Sequence, residues 1–333
     1  METIQASGDI GQKTERHHAA SIGPYLKIAR PDHWIKNVFM LPGVAFALAV
    51  APHTEPWLSP ILSLLCLCLI ASANYTINEF LDARSDRFHP LKSGRPGALG
   101  LLNPRLVLAQ YLALAACGLI IAETINLPFF LSSVALLVMG LIYNVSPVRS
   151  KDRAYLDVLS ESINNPIRFL FGWFAVTQVA LPPVSALLAY WMGGAFLMGV
   201  KRFSEYRRIG DPARAALYRR SFGTYTEDSL LLSSFFYALC SAFFIGIFLI
   251  KYRIEYVLIF PLFAILFTWY LAIGLKSDSA AQAPEKLYRE TIFLGFAGLT
   301  FLMAAALFFI RLPLLQGLME NQLIPLNFRF LWQ

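Results

Sequence analysis

Asn78, Asp82 and Asp86 recur at every fourth position in Asn78-Glu79-Phe80-Leu81-Asp82-Ala83-Arg84-Ser85-Asp86, a spacing that puts three oxygen ligands on one face if a helix runs through the segment. Such hard oxygen donors suit Mg²⁺, which is commonly held by one or two carboxylates while substrate phosphates complete its octahedron. Arg87, His89, Lys92 and Arg95 follow at once and supply donors for the remaining charge of a diphosphate. Asn78, Asp82 and Asp86 are therefore candidate metal ligands, with the two aspartates also catalytic. The competing reading is a solvated helix end, but carboxylates beside lipid are costly unless used.

Two further clusters carry the same kind of chemistry. Asp157, Glu161, Asn164 and Arg168 step by four, three and four, which predicts a polar stripe on one helix face. Asp157 and Glu161 are read as catalytic and Arg168 as substrate-binding, against the alternative of ion pairs that pack helices. Lys201, Arg202 and Glu205 form the second cluster. Lys201 and Arg202 suit a second phosphate, Lys201 in a catalytic role, and Glu205 can bind metal or orient Lys201; the alternative is an anchor at lipid headgroups. Tyr143, Arg149 and Lys151, together with Lys36 and Asn37 in Arg30-Pro31-Asp32-His33-Trp34-Ile35-Lys36-Asn37, add donors at the same depth. Trp34 reads as an interfacial anchor. His33 and His89 are isolated as metal ligands, and the chain has no Ser-His-Asp or Cys-His arrangement and no glycine-rich phosphate loop.

The elements that must position these residues are membrane helices. The 333 residues are 57% hydrophobic and 15% charged, with mean hydropathy +0.55, which excludes a soluble domain of this length. Uncharged runs long enough to cross a bilayer fall at about 37–53, 57–77, 106–123, 127–146, 156–179, 182–200, 229–250, 256–275 and 291–312. The predicted class is all-α: a polytopic membrane protein of about nine transmembrane helices. Cys66, Cys68, Cys117 and Cys240 lie inside the spans, so neither a disulfide nor a zinc site is expected.

With an odd number of spans and an inside N-terminus, 23 of the 28 basic residues fall on the cytoplasmic side. Arg168 lies within the fifth span, and Lys251, Arg253, Arg311 and Arg329 are left for the other face. The net charge of +7 therefore requires no nucleic acid. Two long polar loops, 81–105 and 201–228, share the cytoplasmic side with the clusters. Their positions, four helices apart, suggest a weak duplication of a four-helix unit. Residues 1–23 lack the features of a signal peptide and read as a disordered cytoplasmic tail. Residues 24–312 read as the nine-helix transmembrane domain and 313–333 as an interfacial tail.

The Asn78-to-Asp86 segment resembles the N-x-x-x-D-x-x-x-D signature of the UbiA superfamily of intramembrane prenyltransferases, over roughly Tyr25 to Ala306. Within it the likeness is to the decaprenyl-phosphate phosphoribosyltransferases. The shared residues are Arg30-Pro31-x-x-Trp34-x-Lys36-Asn37, Asp86-Arg87-x-His89-Pro90-x-Lys92-x-x-Arg95-Pro96, Asp157 with Arg168, and Lys201-Arg202-x-x-Glu205. The resemblance implies a UbiA-like helical bundle in the inner cell membrane with a cytoplasmic active site. It implies Mg²⁺-dependent transfer of a phosphoribosyl group from phosphoribosyl diphosphate to a polyprenyl phosphate. The alternative is transfer of a prenyl group from a polyprenyl diphosphate to an aromatic or other acceptor; a transporter using Asp157, Glu161 and Arg168 and a non-catalytic scaffold are further readings. Two departures matter: family members usually have Asp where this chain has Glu79, a fourth candidate metal contact, and Lys201-Arg202-x-x-Glu205 stands where aromatic-acceptor enzymes carry a second Asp-rich motif.

Overall fold

The computed structural model describes residues 22–276, 279–282, 287 and 289–319, and these residues contain helices and loops with no strand. Most of the predicted N-terminal tail and residues 320–333 of the C-terminal tail lie outside the described residues. The helices are α1 (Ile22–Ala29), α2 (Leu41–Val50), α3 (Ser59–Leu81), α4 (Pro104–Glu123), α5 (Leu127–Asn144), α6 (Leu156–Ser162), α7 (Asn164–Phe174), α8 (Val184–Ile209), α9 (Pro212–Tyr218), α10 (Glu227–Tyr252), α11 (Phe260–Leu275), α12 (Thr291–Phe309) and α13 (Pro313–Met319). A 3₁₀ stretch, Pro31–Met40, joins α1 to α2.

Local chemistry sets the ends. Proline stands in the first turn of α3, α4 and α5, where its missing N–H is no loss. Asn103 and Asn126 cap α4 and α5 by accepting from the N–H groups of Arg105 and Phe129. Thr226 and Ser229 form a reciprocal capping box on α10, while Gly210, at φ 69°, closes α8 in the left-handed region.

Six segments are long and apolar enough to cross a membrane: Ile22–Val50, α3, α4, α5, α8 and α10. The apolar stretches of α11 and α12 are shorter. This is a multi-pass membrane protein. The fifth expected span departs from prediction, because it is two helices broken at Ile163 and it ends at Phe174. Pro166 gives the physical reason: it has no N–H for the Ser162 carbonyl, and its ring crowds that group in a continuous helix.

The break separates two cores. On one side, α7 packs with α2, α3, α4 and α5 around Leu67, Ile70, Phe129, Phe171 and Trp173. A Cβ on Gly43 would lie 2.0 Å from the Phe169 carbonyl oxygen, and one on Gly172 would lie 2.0 Å from that of Met40, so α2 and α7 cross at backbone contact. On the other side, α6 contributes Val158 to a core with Phe196 and Val200 of α8, Tyr237 of α10 and Tyr270 and Ile273 of α11. The polar ends of α3, α5, α6 and α8 meet at one end of the bundle, where α9 and the 3₁₀ turn Arg220–Gly223 fold over them with their own small core of Phe203, Tyr218, Phe222 and Tyr225.

Candidate active site

Helix α3 stops one residue before Asp82, which caps it, and Asp86 opens a short 3₁₀ turn. The expected continuous helix through Asp86 is thus corrected, yet its spacing survives. The Asp82 N–H donates to the Asn78 carbonyl at 3.0 Å and the Asp86 N–H to that of Asp82 at 2.8 Å.

Both aspartates face cations. Asp82 Oδ1 receives Lys151 Nζ at 2.5 Å and Arg149 Nη2 at 3.0 Å. Burial alone would raise the Asp82 carboxyl, but Lys151, with Arg219 and Arg149, holds it below the usual carboxylate range. Asp86 Oδ2 pairs with Arg95 at 2.8 Å. Burial nevertheless outweighs the pull of Arg95 and Lys92, so the Asp86 carboxyl is raised, and the neighbouring Asp82 charge adds to the rise. Each aspartate uses one oxygen in these pairs.

Glu79 is buried and salt-bridged through Oε2 to Arg30 at 2.8 Å, while its Oε1 is buried without a hydrogen-bond partner. Asn78 donates to Asn144 Oδ1 at 2.5 Å, and the same oxygen accepts from Lys151 Nζ at 2.7 Å. Among the described residues, no three His, Cys, Asp or Glu side chains converge as a ready metal cage. Asp82 and Asp86, each with one carboxylate oxygen outside its ion pairs, suit a hard divalent cation that draws its other ligands from phosphate and water.

The two polar loops meet through Lys92. Its ammonium lies 2.8 Å from Glu205 Oε1 and also bonds the Tyr218 hydroxyl. Glu205 Oε2 accepts from Arg202 Nη1 at 2.9 Å, so Glu205 is saturated by two cations, and orients Lys92 and Arg202 rather than Lys201. Arg202, 1% exposed, also bonds Glu161, Asp157 and the Tyr143 hydroxyl. Lys201 Nζ stands 3.7 Å from Glu161 Oε1.

Several expected roles change. The break at Ile163 divides the predicted polar stripe: Asp157 and Glu161 turn to Arg202, whereas Arg168 on α7 donates to Asn37 Oδ1 at 3.3 Å. Asp157 was expected to be catalytic, but it is fully buried, with Oδ1 held by Tyr225 at 2.8 Å and Oδ2 by Ser221 and Arg202. It braces the second loop against α8. His89 was expected to bind substrate, yet it is buried against Tyr218, its Nδ1 accepts the Leu91 N–H, and burial pushes its pKa down to about 3. Its imidazole is neutral and packed into the fold. Arg87, also expected to bind substrate, donates to the Ala98 carbonyl and lines a separate groove with Arg84 and Leu102. Lys36 lies against His33 at 3.2 Å.

Arg219 is a site residue that pattern reading missed. It donates to the Tyr143 hydroxyl at 3.1 Å and sits 3.9 Å from Asp157 Oδ2. Burial alone would lower its pKa, but Tyr143, Tyr218 and nearby carboxylates hold it well above the ordinary arginine value. No helical period relates it to the other clusters, and the Tyr218-Arg219-Arg220 run inside the second long loop was its only signal.

The profile of the UbiA prenyltransferase family matches residues 39–297. The chain belongs to that family. Decaprenyl-phosphate phosphoribosyltransferase of Mycolicibacterium smegmatis is 28% identical over 213 residues, covering 62% of this chain and 63% of that protein. Nodulation protein NoeC of Azorhizobium caulinodans is 29% identical over 202 residues, covering 60% and 62%. The matched region thus spans a little under two thirds of the length of these curated relatives. A UbiA homologue from Archaeoglobus fulgidus, solved bound to DMAPP and Mg²⁺, superposes with a TM-score of 0.65 over 86% of this chain and 98% of its own, at 23% identity. That likeness is one of fold.

Proposed function

We propose that this protein moves a phosphoribosyl group from phosphoribosyl diphosphate to a polyprenyl phosphate, with Mg²⁺, and releases diphosphate. The observation that carries this reading is the saturation of Glu205 by Lys92 and Arg202. With a different cation on each of its two oxygens Glu205 does not suit a second metal centre, whereas Asp82 and Asp86 each keep one oxygen outside their ion pairs, and the end of α8 offers a cation to phosphate instead. A donor with a 5-phosphate besides its diphosphate matches a site rich in Lys and Arg. The relative named as a decaprenyl-phosphate phosphoribosyltransferase supports the same reading.

Asp82 and Asp86 would hold Mg²⁺, which when bound offsets the growing charge of the leaving diphosphate. Lys151, Arg149 and Arg95 stand beside the aspartates and supply donors to the same diphosphate oxygens. Lys201 takes the remaining phosphate charge, while Arg202, expected to bind substrate, is enclosed among Asp157, Glu161 and Glu205 and holds those carboxylates in place. In the reaction the anomeric C–O bond to diphosphate breaks and an oxygen of the lipid phosphate bonds the same carbon. The attacking oxygen is already anionic, so no general base is required. The excess of basic residues at this end supports a cytoplasmic site in the inner membrane.

A second reading, transfer of a prenyl group from its diphosphate, draws on the DMAPP-bound structural neighbour. One assay separates the two. Purified protein with Mg²⁺ is given phosphoribosyl diphosphate plus polyprenyl phosphate, or an isoprenyl diphosphate plus an aromatic acceptor, and products are read by mass spectrometry. A phosphoribosylated lipid is expected; consumption of the isoprenyl diphosphate alone overturns the preferred reading.

A further inference from the structure

At the end of the bundle opposite the candidate site, α10 finishes at Tyr252 and a 3₁₀ turn, Ile254–Leu258, leads into α11. Beside it lies a cavity of about 370 Å³ lined by Ile250, Lys251, Tyr252, Arg253, Glu255 and Arg311. Among the described residues, the loops and helix tips at this end carry three Lys or Arg side chains, Lys251, Arg253 and Arg311, and all three line this one cavity. Elsewhere at this end the segments 51–58, 124–126 and 175–183 contain no Lys or Arg. Scattered interfacial anchors would be spread around the rim; here the cations are gathered.

The cavity is also built on firm ground. Tyr256 and Ile259 are buried in a core with Phe248 and Leu249 beneath it. Glu255 is 1% exposed, and its Oε1 lies 3.4 Å from the Leu312 N–H, tying the segment that carries Arg311 to the turn. The lining carries three cations and one carboxylate, a net charge that suits a phosphate group. Its rim is apolar: Ile250 is 75% exposed and Tyr252 is 45% exposed, and α13, which packs on the turn, exposes Leu314. A charged cup with a greasy, aromatic edge at a helix end matches an amphiphile at the membrane surface.

We infer that this cavity binds the phosphate headgroup of an anionic membrane phospholipid, held by Lys251, Arg253 and Arg311. It is separate from the transferase site and independent of the reaction assigned there. Lys251 and Arg311 are exposed and lie outside the catalytic network, so their replacement leaves turnover and folding unchanged.

The test uses the full chain in detergent and native mass spectrometry with added phosphatidylglycerol, phosphatidylcholine or inorganic phosphate. Wild-type protein retains phosphatidylglycerol in preference to phosphatidylcholine. Lys251→Gln with Arg311→Gln weakens that retention by roughly fivefold for each cation removed, while Lys251→Arg with Arg311→Lys keeps it. Equal retention by the Gln pair and the wild type overturns the inference. So does displacement of the lipid by inorganic phosphate at equal concentration, which assigns the cavity to a free ion. Should the Gln pair unfold, Lys251→Gln alone carries the same comparison.

Discussion

Lys92 Nζ lies 2.8 Å from Glu205 Oε1, joining two polar loops whose partners are 113 residues apart in the chain. The pair is enclosed, at 17% and 1% side-chain exposure. Removing the lysine therefore strands a buried carboxylate beside Arg202. Lys92→Met should cost about 3 kcal/mol of stability, read as a fall in Tm in detergent. Adding Glu205→Gln should recover most of the stability without restoring turnover. Full recovery of turnover by the double variant would show that Lys92 serves folding alone.

Asp82→Asn should lower kcat by about 10³-fold while leaving a folded protein. Because Lys151 and Arg149 then lose their anionic partner, inorganic diphosphate without metal should bind at least as tightly as to wild type. Titration calorimetry with and without Mg²⁺ reads both effects. An unchanged Mg²⁺ enhancement of diphosphate binding in the variant would remove Asp82 from the metal site.

Burial lowers Lys151 to about 8, against the pull of Asp82. Its cation is present below that pH and is lost as pH rises through it, so kcat/KM should fall on the alkaline side. Lys151→Arg stays charged throughout and should abolish that limb. The acid limb belongs to Asp86, whose raised carboxyl is protonated at a higher pH than an ordinary aspartate. Arg95→Gln removes a cation that opposes the rise and should move that limb upward. A pH profile of each variant checks both assignments.

Gly172→Ala drives a methyl group into the Met40 carbonyl, where the backbone of α2 cannot give way cheaply. It should cost about 1 to 3 kcal/mol and loosen the approach of Asn37 to Arg168. A Tm within error of wild type would mean that the two helices can slide apart without penalty.

Much of the scaffold could be read from residue order, because runs of apolar residues must form helices where lipid offers no hydrogen-bond partners. Asn78, Asp82 and Asp86 were visible because a four-residue period survives even where α3 ends. The break at Ile163 was less visible: the Asp157-to-Arg168 period ran straight across it, although Pro166 marked the place. The partners of His89 and Asp157 were not legible, because residue type announces a charge but not whether neighbours have already claimed it. Arg219 lay hidden because its partners, Tyr143 and Asp157, come from helices that only tertiary packing brings beside the second loop.

The interruption at Ile163 has a mechanical meaning. Asp82 and Asp86 ride on the assembly that includes α5 and α7, while Lys201, Arg202 and Glu205 ride on the one that includes α6 and α8, and the chain passes between them in the α5–α6 loop, at Ile163 and in the α7–α8 loop. Of these crossings the one at Ile163 is stiff, because Ile163 keeps helical dihedrals, its N–H donates to the Leu159 carbonyl and its own carbonyl accepts from Ile167, so it holds Asp82 and Lys201 at a fixed span. Donor and lipid would then meet between two braced walls, tied to each other across the site by Lys92 to Glu205 and by Arg202 to Tyr143.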